Sequence, residues 1–449
     1  MTSPLRTGLS RRTLLSLSGL GAGAFALAAC GGPTVGGDSS KDKAKEVDFE
    51  GVKPAKKIDF WSTHPGGAKE IETKLIKDFT DKTGIEVNLV TGGQNYEEIA
   101  QRFQTAQAAN SGLPAVVVLS DVWWFRYFMN GNIIPLDNLL KKLDFQLDDY
   151  RETLVEDYQY DGKQWAMPYG RSTPLFYYNR DHFKAAGLED RAPKTWDEFA
   201  EWSKKLTEAD TPFMYPDLAG YAGWTLQNVL WGRGAEYSHE WDLKLTEQKS
   251  VEAFQWVQDS VHKEKWGQVA SSDSADSFAG GVCSATIAST GSLVGILEAA
   301  KFDVGVGFLP AGPVDGPVCP TGGAGLGIPA AIKPEEQLAA AEFIKFMGEP
   351  ENTAQFSAAT GYMPNRKSSD MSAIIKETPQ IETAIKQLEH TRKQDYARVY
   401  LPGADQEIAK AVASILNDKA DVKQSLEGLQ KNLQGIYDKD VKPKVEKKK

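Results

Sequence analysis

From Lys56 onward the chain switches repeatedly between two hydrophobic periods. KKIDFWSTHPGG (56–67) begins as a short alternating strand and ends in a Gly-rich loop. AKEIETKLIKDFTDKTG (68–84) spaces its apolar residues for a helix and closes on a glycine. IEVNLVTGG (85–93) predicts a second strand, and NYEEIAQRFQTAQAA (95–109) a helix with Ile99 and Phe103 on one face. PAVVVLSD (114–121) predicts a buried strand. Strand, helix, strand, helix, strand predicts a parallel sheet with helical crossovers. QWAMPYGRSTPLFYYN (164–179) is extended, and TWDEFAEWSKKL (195–206) is a helix with Thr195 and Glu198 spaced as a capping box. Further strands are expected in CSATIAST (283–290) and VGVGFLP (304–310). The segment 334–364 is mainly helical, as is 404–439, before a charged KVEKKK tail.

This pattern is α/β throughout, with no repeat of fixed period. The folded part starts near Ile58 and runs for about 385 residues, too many for one core, so two lobes are expected. Open α/β sheets bind ligands at the carboxyl ends of their strands, and two-lobed proteins bind them between the lobes.

The N-terminus sets the compartment. Residues 1–29 carry three arginines and no acid, with Arg11 and Arg12 adjacent and an apolar stretch running to Ala29. This reads as an export signal of the twin-arginine kind, too short to anchor in a bilayer. It ends in LAAC (27–30), similar to a bacterial lipobox, in which Cys30 becomes the lipid-bearing first residue. Cleavage at an A-x-A-like site, giving a soluble secreted protein, is the plainer alternative. Residues 31–57 are rich in Gly, Ser, Lys and Asp without apolar period, as a flexible tether would be.

Charge and chemistry narrow the function. Loss of the three signal arginines takes the formal charge from −10 to −13. Such a chain is not suited to nucleic acid or to an anionic membrane surface. Besides Cys30 there are two cysteines, Cys283 and Cys319, which outside the cell can form a disulfide or stay as two buried thiols. The five histidines show no zinc-ligand spacing, so no metal is expected. There is no GxSxG elbow, STGSLVG (289–295) being the nearest approach. Ser172 has only His182 near it in sequence. TGGAGLG (321–327) lacks the GxGxxG spacing and the acid that follows it, so no nucleotide or other cofactor is implied.

What remains is a set of polar-aromatic segments at strand ends and loops. They are GGQNYEE (92–98), LSDVWWF (119–125), YGRSTPLFYYN (169–179), YAGWTLQ (221–227), ASTGSL (288–293), TGGAGLG (321–327), TGYMP (360–364) and DYARVYLPG (395–403). Taken singly each is core or turn. Together they supply aromatic walls, hydroxyls, backbone N–H groups and a cation, the kit of a small-molecule cleft.

The order FWSTHPGG, STPLFYYN, ASTGSL, GGAGL and PENTAQFSAATGYMP resembles the family 1 extracellular solute-binding proteins of ABC importers. Within them it is similar to the binders of glycerol-3-phosphate and glycerophosphodiesters. The likeness covers essentially all of 58–440. It implies a type II periplasmic-binding-protein-like α/β fold, two lobes closing on the ligand about a hinge, and no catalysis. It implies a first lobe of 58–171 with 321–360 and a second of 172–320 with 361–440, after a signal (1–29) and a lipidated tether (30–57) and before a charged tail (441–449). Partners would be ABC permease subunits and, through the lipid, the outer face of the cell membrane.

The resemblance also implies roles. Tyr96 would line the pocket and Asp121 would accept from glycerol hydroxyls. Ser172 and Ser289 would contact phosphate, with Gly323 donating its N–H and Tyr362 its hydroxyl. Arg398 would be the phosphate cation, a single guanidinium fork being enough for a singly charged diester. Tyr221 and Trp224 would hold the head group, where with Asp121 they offer a site for a choline-type cation. A Tyr at 221 departs from the family's usual Trp or Leu. A Cys283–Cys319 bond, if formed, would brace the strands carrying Ser289 and Gly323. The competing ligand is a neutral oligosaccharide of the maltodextrin or trehalose type. A secreted hydrolase, the third reading, lacks a metal cluster or acid–base pair.

Overall fold

The computed structural model describes residues 47–207, 211–216 and 222–446. The export signal, Cys30 and Tyr221 lie outside the described residues.

Two five-stranded sheets organise the chain. The first comprises β1 (Lys57–Ser62), β2 (Glu86–Thr91), β3 (Val116–Ser120), β4 (Met167–Ser172) and β10 (Gly322–Gly327), in the order β2-β1-β3-β10-β4. The second comprises β5 (Pro174–Asn179), β6 (Phe213–Tyr215), β7 (Gly267–Val269), β8 (Ala285–Ser289) and β9 (Val304–Gly307), in the order β7-β6-β8-β5-β9. β1 pairs parallel with β2 and β3, as the periodicity predicts. The sheets are nevertheless mixed: β10 runs antiparallel to both its neighbours, and so does β5. The reason is connectivity. Each of these strands is entered from the opposite lobe, without the crossover helix that keeps strands parallel. Only Thr173 separates β4 in one sheet from β5 in the other.

Local signals set the flanking helices. α1 (Lys69–Thr83) ends on Gly84, left-handed at φ 74°, a conformation that costs a residue without Cβ least. α2 (Tyr96–Ala109) begins on Asn95, whose side chain accepts from Glu98 N at 2.8 Å. In α3 (Trp196–Thr207) half of the expected box forms: Thr195 Oγ1 accepts from Glu198 N at 3.0 Å, while Glu198 turns to Arg191 and Lys194 N. α4 (Ala222–Gly232) and α5 (Gln248–His262) carry α8 (Ala404–Leu416) and α9 (Val422–Ile436) packed against them. α6 (Pro334–Met347) and α7 (Pro350–Thr360) lie with α1 on the first sheet's side.

Four expectations are corrected. The last part of the tether, from residue 47, is docked: Phe49 is buried and Ala55 N donates to Glu335 O at 2.8 Å, because an apolar anchor and a backbone bond outweigh the polar composition around them. Residues 363–366 sit with the first lobe, since Met363 N donates to Arg171 O and Asn365 Nδ2 to Pro168 O and Tyr169 O. The charged tail continues as helix from Lys442 to Val445, held by buried Val441 and a Lys444–Asn130 bond. Cys283 and Cys319 are free thiols, each buried in a different apolar cluster and facing different neighbours. Burial pushes the Cys283 thiol up to about 12 and Cys319 up as well.

Candidate functional site

The strand ends gather most of the expected residues. Tyr96 opens α2, Asp121 follows β3, Ser172 ends β4, Ser289 ends β8, and Gly323 lies at the start of β10. Tyr362 follows α7 after Gly361, which turns the chain at φ 84°.

Tyr362 sits among glycines of both lobes. A Cβ on Gly291 would come within 2.6 Å of its ring, one on Gly66 within 2.8 Å, and one on Gly170 within 3.6 Å. Its hydroxyl shares a hydrogen bond with Tyr96, and burial raises its pKa. Ser289 Oγ accepts from Gly291 N at 3.0 Å, fixing the turn against which the ring packs. Ser172 is buried, and beside it the buried hydroxyl of Thr173 has no partner among the described residues. Gly323 has φ 97°, and its carbonyl accepts from Asp121 N at 3.0 Å. A Cβ there would meet Gly170 O at 2.1 Å, so glycine is required both for space and for conformation. Trp224 Nε1 donates to Thr321 O at 2.9 Å, and its ring covers Gly322.

Arg398 is placed differently from its expected role. Its Nη1 donates to Asp121 Oδ2 at 3.1 Å and its Nε to Asp405 Oδ1 at 2.8 Å, and Gln394 accepts a further bond. The guanidinium is therefore compensated by two carboxylates. Gln394 also donates to Asp121 Oδ2 at 2.6 Å, so Gln394 and Arg398 converge on the same carboxylate oxygen. Burial raises the pKa of Asp405, and Arg398 holds it down against that.

Sequence reasoning passed over three groups here. Arg171, one residue before Ser172, is wholly buried and pairs with Asp157, which also accepts from Thr321 Oγ1. Asp157 stands among groups that can be placed only in space. Glu72 is the third: a buried carboxylate on α1 that accepts from Ser62 Oγ at 2.5 Å and Tyr169 Oη at 2.8 Å and pairs with His64. It had a signal. Glu72 shares the buried stripe with Leu75, Ile76 and Phe79, and an acid on an apolar helical face calls for partners. Among the described residues no acid, His or Cys cluster could hold a metal.

The site thus offers hydroxyls and glycine backbone from two lobes, aromatic walls, and arginines closed off by carboxylates. A sequence model of bacterial extracellular solute-binding proteins matches residues 74–383. The chain belongs to this family. Among solved structures, UgpB from Mycobacterium tuberculosis, in complex with glycerophosphocholine, superposes with a TM-score of 0.82 at 40% identity, covering 86% of this chain and 100% of that one. The sn-glycerol-3-phosphate-binding periplasmic protein UgpB of Shigella flexneri is 29% identical over 355 residues, 74% of this chain and 80% of that protein. Maltose-bound MalE3 of T. maritima shares the fold, with a TM-score of 0.76 at 22% identity over 85% of this chain and 100% of its own. Solute-binding proteins of this family are two-lobed receptors. Among the described residues no helix is long and apolar enough to cross a membrane.

Proposed function

We propose that this protein captures a glycerophosphodiester such as glycerophosphocholine, or glycerol-3-phosphate, in the cleft between its lobes and delivers it to an ABC permease. The observation that carries this reading is the 40% identity, over the full length of the neighbour, with a protein that holds glycerophosphocholine. Ser172, Ser289, Tyr362 and the Gly323 N–H are the anion donors in this reading, and Tyr96 lines the glycerol end. Asp121 accepts from glycerol hydroxyls while Arg398 holds that carboxylate in place. Trp224, and Tyr221 by the sequence resemblance, would hold the head group in this reading. Export by the twin-arginine signal and lipid on Cys30 would hold the receptor at the outer face of the membrane.

A ligand that favours the closed form shifts the lobes toward it, and that form docks on the permease. Neutral hydroxyl and N–H donors suit a monoanion because each hydrogen bond to the charged oxygen is stronger than one to a neutral acceptor. A neutral oligosaccharide is the second reading, and one observation favours it: both buried arginines of the site are already ion-paired.

Calorimetry on the purified protein with glycerophosphocholine, glycerol-3-phosphate, maltose and trehalose separates the two. Saturable binding of a phosphate-bearing ligand, with none by the sugars, is expected. Binding of a sugar alone would leave the fold and family intact and overturn the ligand.

A further inference from the structure

We infer that Arg171 is a specificity-determining residue, its guanidinium supplying the positive charge beneath the anion donors at the interlobe crossing, with Asp157 setting how much of that charge reaches the ligand. The inference rests on the phosphodiester reading above.

Position is the first argument. Arg171 precedes Ser172 and lies in register opposite Gly323. Its carbonyl accepts from Met363 N at 2.8 Å, tying it to the segment that carries Tyr362. Its charge is felt at Tyr362, where it works against the effect of burial. Three of the four proposed anion donors thus lie on or beside the backbone at this one residue.

Incomplete satisfaction is the second. A guanidinium has five N–H donors, and each one buried without an acceptor is costly. Arg171 Nη2 donates to Asp157 and Nη1 to Tyr158 Oη at 3.0 Å, but Nε is buried with no partner among the described residues. Arg398 differs, since its Nε meets one carboxylate and its Nη1 another. Arg171 is bonded to one carboxylate, with Asp121 acting on it without a bond, and Thr321 Oγ1 draws on the same Asp157 oxygen. Of the two buried arginines of the site, Arg171 therefore keeps the larger share of uncompensated charge. A site built for a neutral sugar would carry that cost without return, whereas an anion arriving beside Ser172 offsets it.

The alternative is purely structural. Asp157 joins Arg171 at one interlobe crossing to Thr321 at the end of the other, and so could act only as a staple. Affinity and stability readouts separate the two. Glycerophosphocholine is titrated calorimetrically into the wild type, Asp157→Asn, Arg171→Lys and Arg171→Gln/Asp157→Asn, with a thermal melt of each. Asp157→Asn is isosteric and keeps an acceptor oxygen. It is expected to bind severalfold tighter than wild type, because it leaves the Arg171 charge uncompensated. The double variant is expected to lose roughly 10-fold or more in affinity, and Arg171→Lys to retain most of it. If wild type binds and Asp157→Asn binds equally or more weakly while melting lower, the staple is its whole role and the inference falls, whether or not the double variant folds. If wild type binds no phosphodiester, the ligand reading itself fails.

Discussion

Replacing Arg398 by Met tests the charge arrangement directly. The guanidinium is 6% exposed, and the two carboxylates it serves are 9% (Asp121) and 18% (Asp405) exposed. Met fills most of the stem volume but removes the cation both carboxylates share, leaving Asp121 with its Gln394 bond. Removing one partner of a buried ion pair costs about 3–5 kcal/mol, because the charge left behind has neither water nor counterion. For a chain of this size that corresponds to a fall of about 4–6 °C in Tm, on a denaturation entropy near 2 cal/mol/K per residue. Part of the cost returns if the carboxylates take up protons, so the deficit is expected to be largest at neutral pH and smaller near pH 5. Scanning calorimetry at both pH values measures it. A triple variant, Asp121→Asn with Asp405→Asn and Arg398→Met, is expected to recover much of the loss, since no bare charge remains. A single Met variant melting within 1 °C of wild type at pH 7 would refute the reasoning. It would mean the carboxylates reach water or another donor, and would return Arg398 to the role of a free cation.

Gly323→Ala is expected to destabilise by about 2 kcal/mol or more and to abolish ligand binding, since φ 97° and the 2.1 Å approach to Gly170 O both oppose a Cβ; urea unfolding beside a binding titration reads both effects. Gly291→Ala pushes on the Tyr362 ring from 2.6 Å and is expected to weaken binding more than it lowers Tm. Burial pushes Asp395 up from 3.8 to about 7, although Tyr237 N, Arg392 and Trp231 Nε1 all hold it down. Its raised value means the folded state binds the extra proton between pH 4 and 7, so this residue's contribution to stability falls as pH rises through that window and is flat above it. The stability difference between wild type and Asp395→Asn, measured in urea at pH 4.5, 6 and 7.5, should therefore drift by up to about 1.4 kcal/mol per pH unit; a constant difference rules this out. Cys283 and Cys319 are expected to resist iodoacetamide in the folded protein and to alkylate in denaturant without reductant, as read by peptide mass spectrometry. Failure to alkylate without reductant would establish the disulfide.

Much of this architecture was legible along the chain because local physics decides it. The period-two and period-3.6 blocks from 56 to 121 lie where β1, α1, β2, α2 and β3 lie, since each buries one face and the spacing of apolar residues records which. Asn95 begins a helix through its capping side chain and Gly84 ends one because it lacks a Cβ. The family, too, could be read from short segments, because loops that line a cleft carry unusual residues in fixed order. What no local pattern encodes is pairing at long range. The antiparallel β5 and β10 follow from which lobe the chain has just left, and nothing in PLFYYN or GGAGLG states that. The cysteines are 36 positions apart in sequence, yet free because they fall in different clusters.

The same division holds at the site. Sequence by itself determined the residue types, the hydroxyls, glycines and aromatics at strand ends, since those follow from turn chemistry and from where strands stop. Tertiary structure alone decided the charges. An arginine looks alike in sequence whether it faces a ligand or a carboxylate, and its net field depends on acids at any separation along the chain: Asp157 is 14 residues from Arg171, whereas Asp121 is 277 from Arg398. Coulomb energy depends on distance and burial, not on order along the chain. That is why Arg398 was read as the cation from its motif, and why only the fold brings Arg171 forward.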